Sequence, residues 1–252
     1  MSNFPAAGWV QITDAAVPLR CWWSPATLEK HDIEPIPTRN RVVIVLPEVF
    51  GVNAWLRSVA DRLAGAGVAA LALPLFERTA PGLDLGYSDA ELAEGRRHKE
   101  ATTAEQILAD VSAAIAWLQR QGPQWQISVV GFCFGGHAAL LAASLPEVRH
   151  SFDFYGAGVS RMRPGGGPPS LELLPEVEGS LTCLCGTADP LIPEPDRAAT
   201  QRALAAQDPS GERFRYVELA GADHGFMCEA RSSFQAAAAA RGWQLLLATL
   251  KA

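Results

Sequence analysis

The chain has 252 residues, 48% of them apolar and 19% charged, and a net charge of −6. That length can bury a full core, and the acidic balance excludes nucleic acid and anionic membrane as main partners, because both select basic patches. No run approaches the roughly 18 apolar residues of a membrane span, and Met1 to Val10 holds neither a basic stretch nor a long apolar one, so a cytoplasmic protein is the expectation.

In chain order, WVQITDAAVPLRCWWSP predicts an antiparallel hairpin at a sheet edge, with its tryptophans used for packing. RVVIVL (Arg41 to Leu46) and VAALAL (Val68 to Leu73) are short, almost wholly apolar strands, as in a parallel sheet covered on both faces. Between them NAWLRSVADRLAGAG sets Trp55, Val59 and Leu63 four apart and stops on glycine, which predicts a helix. Glu77 to Ala101 mixes proline, glycine and charge and reads as a long surface loop. The following TTAEQILADVSAAIAWLQRQG is a helix with Ile107, Val111, Ile115 and Leu118 on one stripe. ISVVG, HSFDFYG, SLTCLCG and FRYVELAG are further strands, and PEPDRAATQRALAAQ and FQAAAAARGWQLLLATL further helices. Ser160 to Gly179 reads as a second long loop, and loops of that length serve as lids or binding loops. Strand and helix in alternation, with no repeat and no linker, predict one doubly wound α/β domain over residues 1–252, its mostly parallel sheet flanked by helices on both faces.

The five cysteines are Cys21, Cys133, Cys183, Cys185 and Cys228. An odd number fits reduced thiols better than a disulfide framework. Cys183 and Cys185, two apart on a strand, read as small buried hydrophobes. No second cluster offers zinc-ligand spacing, so no metal is expected.

Cys133 stands apart from the others. It sits in GFCFGG, between a β-branched run and an alanine-rich helix, where glycines allow a tight corner. A cysteine after a parallel strand and before a helix amino terminus lies where ligands bind, and unpaired N–H groups there favour a thiolate. G-x-C-x-G is the nucleophile-elbow pattern with sulfur in place of oxygen. Downstream, Asp189 follows a strand in CGTADPLIP, and His224 follows the last strand in LAGADHGF. Nucleophile, acid, histidine is the chain order of α/β-hydrolases, and each member follows a predicted strand, as convergence on one sheet edge requires. Asp223 is the rival acid, although an immediate neighbour seldom reaches its own ring at the needed angle. His31, His98, His137 and His150 lack such a setting.

Glu48 lies two residues beyond a strand in VIVLPEVFGVN. With GFCFGG, FYGAG, GTADPLIP and GADHGF this makes five stretches in order, and from about Arg41 to Phe226 the chain resembles the dienelactone hydrolase family. The resemblance implies an α/β-hydrolase fold and cleavage of a small carboxylic ester or lactone; no cofactor is expected, and a monomer or small homo-oligomer is the expectation for the assembly. It implies Cys133, Asp189 and His224 as the triad, Glu48 as the carboxylate that handles the thiol proton, and the Val49 and Phe134 backbone N–H groups as the oxyanion hole. PLFERTAPG looks like the family's substrate-binding stretch, which makes Arg78 a candidate for a substrate carboxylate. Dienelactone hydrolases proper carry a second arginine four positions after the histidine. Here that position is Cys228, and Arg231 is the nearest arginine and the second candidate. An acyltransferase on the same fold, or a non-catalytic ligand-binding or redox-sensing descendant, are the alternative readings.

Overall fold

The computed structural model describes residues 6–27, 40–122 and 125–251, so His31 lies outside the described residues. The strands β1 (Gly8–Ile12) and β2 (Leu19–Ser24) form an antiparallel hairpin, and β2 pairs antiparallel with β4 (Ala69–Ala72). From there the sheet is parallel: β4, β3 (Arg41–Leu46), β5 (Gln126–Phe132), β6 (Val148–Phe154), β7 (Ser180–Gly186) and β8 (Phe214–Leu219) follow in that spatial order. The expected edge hairpin and parallel core are both present. His150 lies inside β6.

Alternation along β3 shows why its run is apolar throughout. Val42, Ile44 and Leu46 pack to one face with Ile107, Val111, Ile115 and Leu118 of α3 (Ala104–Gln121). Val43 and Val45 pack to the other, with Val59 and Leu63 of α1 (Ala54–Gly65) and Leu246 and Leu250 of α6 (Ala236–Lys251). Asn53 caps α1 by accepting the Leu56 N–H, and Thr103 with Gln106 forms a reciprocal capping box at α3. α5 (Glu194–Gln207) adds Leu204 to a smaller cluster with Leu181 and Phe214.

Two stretches read as loops carry structure. Residues 77–101 contain α2 (Asp89–Glu100), which starts at a capping box of Ser88 and Glu91. Ser170–Glu176, within the second stretch, winds into a short 3-10 segment. Among the described residues no helix is long and apolar enough to cross a membrane.

Candidate active site

β5 ends at Phe132, and α4 (Phe134–Ala142) begins two residues later. Cys133, the residue between, is at φ 55° and ψ −117°. A side chain with a Cβ pays about 1–3 kcal/mol to stay in so sparsely populated a region. The backbone around it is over-determined: the Cys133 N–H donates to the Phe154 carbonyl at 3.0 Å, and the Cys133 carbonyl accepts the His137 N–H at 3.2 Å. A Cβ on Gly131 would lie 1.7 Å from the Gly135 carbonyl oxygen, so only glycine permits this corner. Cys133 is partly exposed, and the other four cysteines are buried. α4 has no side-chain cap, which leaves the N–H groups of its first turn, Phe134 included, without intrahelical partners beside the thiol.

Asp189 follows β7 and His224 follows β8, and both are buried. Asp189 Oδ2 accepts from His224 Nδ1 at 2.8 Å, and its Oδ1 accepts the Leu191 N–H at 2.8 Å. Asp223 is engaged elsewhere, with its Oδ1 taking the backbone N–H of His224 at 2.6 Å. His224 Nε2 is buried and has no aligned hydrogen-bond acceptor among the described residues. Burial opposes protonation of this ring, but interaction with Cys133 and with the Asp189 carboxylate overcomes it and raises the pKa to about 10. Tyr155, at φ 45°, sets its ring edge-on to His224 with centroids 5.1 Å apart.

Glu48 is 2% exposed and sits in the loop after β3. Arg231 Nη1 donates to its Oε1 at 2.7 Å, while Oε2 is buried with no partner among the described residues. Burial raises the Glu48 pKa, and Arg231 and His224 pull against that rise. Arg231 reaches Glu48 over Gly225, where an added Cβ would lie 2.4 Å from a guanidinium nitrogen. Cys228 is buried, its thiol donates to the Tyr87 hydroxyl at 3.2 Å, and burial next to Glu48 pushes its pKa up to about 11.

A cavity of about 120 Å³ opens at the carboxyl ends of the strands, with Cys133, His224, Val49, Phe134 and Arg231 in its lining. Arg78 does not line it. Its Nη1 and Nη2 are held by Asp110 on α3 at 2.5 and 2.8 Å, a bidentate grip that engages the guanidinium. The cations that do line it, besides Arg231, are Arg96 and Lys99 of α2, next to Leu92 of the same helix. Sequence reading missed them because it took this stretch for a loop. Ser88 and Glu91, three apart, were the available helix signal. Met162, from the second long stretch, and Leu191 add apolar wall.

Residues 31–252 match the model of the dienelactone hydrolase family. A Synechocystis sp. protein provisionally named carboxymethylenebutenolidase is 39% identical over 206 residues, which cover 81% of this chain and 82% of that one. The carboxymethylenebutenolidase of Pseudomonas putida is 30% identical over 202 residues, 79% of this chain and 80% of that one. A solved structure from Klebsiella pneumoniae, provisionally titled a dienelactone hydrolase, matches with a TM-score of 0.81 at 25% identity, over 98% of this chain and 99% of that one.

Proposed function

The chain belongs to the dienelactone hydrolase family, and from that premise we propose that it hydrolyses small carboxylic esters or lactones through a Cys133–His224–Asp189 triad and a thioester acyl-enzyme. The observation that carries this reading is the positive φ of Cys133, held at the cavity floor beside the His224–Asp189 pair. Such strain persists where surrounding structure pays for it, and an exposed nucleophile is a use that repays it.

The Cys133 thiolate adds to the carbonyl carbon, and the oxyanion is met by the Val49 and Phe134 N–H groups. The S–C bond forms, the ring or ester C–O bond breaks, and the leaving oxygen takes a proton from His224. Water then gives a proton to His224 and adds to the thioester, which frees the acid and regenerates Cys133. Asp189 fixes the imidazole tautomer throughout. Glu48 receives the thiol proton before attack and returns it to the Cys133 sulfur once the acid has left. A substrate carboxylate competes for Arg231, and a Glu48 that loses its cation partner in a buried site binds a proton more tightly. Arg96 and Lys99 supply further positive charge to an anionic substrate, and Leu92, Met162 and Leu191 take its hydrocarbon part.

The test is turnover of a panel of lactones and aryl esters by purified protein and by Cys133→Ala, with circular dichroism to confirm the fold. Intact-mass measurement during turnover should show an acyl adduct that maps to Cys133. Full activity in folded Cys133→Ala overturns the proposal.

A further inference from the structure

At the opposite, amino ends of the parallel strands lies a larger cavity of about 500 Å³. Strands of six or seven residues separate it from Cys133 by about 20 Å, so it is no part of the site described above. Among the described residues its lining contains Arg41, Arg149, Arg213 and Arg215, with Glu212 as the one carboxylate. That concentration is out of character for a chain of net charge −6. Several arginines elsewhere pair with carboxylates, as in Arg57–Asp84, Arg120–Asp14, Arg161–Asp196 and Arg197–Glu218. Among the described residues none of the four cavity arginines lies within ion-pair distance of a carboxylate; Asp208, which accepts the Arg213 backbone N–H, is the carboxylate that the Arg213 charge acts on.

Two of the four are held in place by carbonyl groups, which position a guanidinium without neutralising it. Arg41 Nη1 donates to the Leu250 carbonyl near the end of α6, and Arg41 Nε is buried with no acceptor among the described residues. Arg213 Nη1 donates to the Val177 carbonyl at 3.1 Å and the Glu178 carbonyl at 3.3 Å. Arg149 and Arg215 are exposed at the rim. His150, whose Nδ1 meets the Ser180 hydroxyl at 2.7 Å, shows the local field: burial, then Arg149 and Arg41, lower its pKa to about 4.

We propose that this cavity is a binding site for a small multivalent oxyanion carrying several phosphate or carboxylate groups. Guanidinium forks match both groups through paired charge-assisted hydrogen bonds. The ligand must be multivalent because β3 and β6 lie two strands apart, as do β6 and β8, which spreads the arginine stems over roughly 10 Å steps. A lone phosphate meets only one or two of them.

The experiment is calorimetric titration of the full chain with inorganic triphosphate and, separately, with citrate at low ionic strength. Arg149→Ala, Arg215→Ala and the double variant are then titrated. Saturable one-to-one binding is expected, weakened about tenfold for each guanidinium removed, with ester or lactone turnover unchanged. The tighter of the two ligands assigns phosphate or carboxylate as the preferred group. Orthophosphate should bind at least tenfold more weakly than triphosphate. Absence of saturable binding by both anions, or binding that the double variant leaves intact, overturns the proposal, and neither result bears on the chemistry at Cys133.

Discussion

Asp189 and Asp223 are equally close to His224 in kind, yet only Asp189 meets the ring, while Asp223 binds the backbone. Asp189→Asn should therefore lower turnover by about 10⁴-fold, the size of a mis-set imidazole tautomer in a serine triad, and Asp223→Asn should cost far less. Steady-state rates of the two variants check this, and the reverse ranking would reassign the acid. Arg78 teaches a different lesson. Its side chain is 19% exposed and that of Asp110 2%, so Arg78→Ala strands a buried carboxylate. A loss of about 3–5 kcal/mol in urea unfolding is expected. A variant of wild-type stability with a raised KM for anionic substrates would return Arg78 to the cavity. Local pattern made Cys133 legible, because an elbow is built from adjacent residues. The Glu48–Arg231 pair joins positions 183 residues apart, and no local pattern encodes such a contact.

Among the elements, α2 carries most of what sequence reading missed. A helix is legible when an apolar stripe recurs at its period, and α2 has few apolar residues because its work is to cover a cavity with charged side chains. Gly95 is its buried residue, and a Cβ there would lie 2.2 Å from the Val49 carbonyl oxygen. Glycine thus lets the helix rest directly on the loop that holds Glu48 and Val49. Helix propensity alone says that Gly95→Ala stabilises by about 1 kcal/mol. The contact says the opposite: the helix or the loop must shift, and the Val49 N–H moves with it. Turnover should fall by about 10²-fold, the scale of losing one oxyanion donor, together with a lower Tm. Unchanged rate and Tm would show that α2 does not position Val49.

Across the whole molecule, buried titrating groups set how stability depends on pH. His224, raised to about 10, contributes stability that is complete below about 6.5 and lost as pH climbs through 10. Asp153, raised to about 7 by burial, has the same sign at lower pH, lost between about 4 and 7. His137 and His150, lowered to about 4, act oppositely and lose their contribution as pH falls from 6.5 to 4. Above pH 7 the His224 contribution is joined, from about pH 8.5, by those of the buried thiols Cys21, Cys183, Cys185 and Cys228, whose pKa values burial raises, so unfolding free energy should decline from pH 7 to 10. Urea titrations should show a shallower decline in Cys133→Ala, which removes the largest influence that raises the His224 pKa. A slope that Cys133→Ala leaves unchanged would assign the decline to other groups. The sequence by itself determined the strands, most helices and the sheet class, because period, β-branching and glycine stops are properties of neighbouring residues. It also placed Cys133, Asp189, His224 and Glu48 each just past a strand, and a parallel sheet carries all such positions to one edge. Only the tertiary structure decided which cations face the cavity, that Arg78 belongs to Asp110, and that four arginines gather at the opposite edge. Those outcomes depend on side chains from β3, β6, β8, α2 and α3 meeting through space, where chain order carries no distance information.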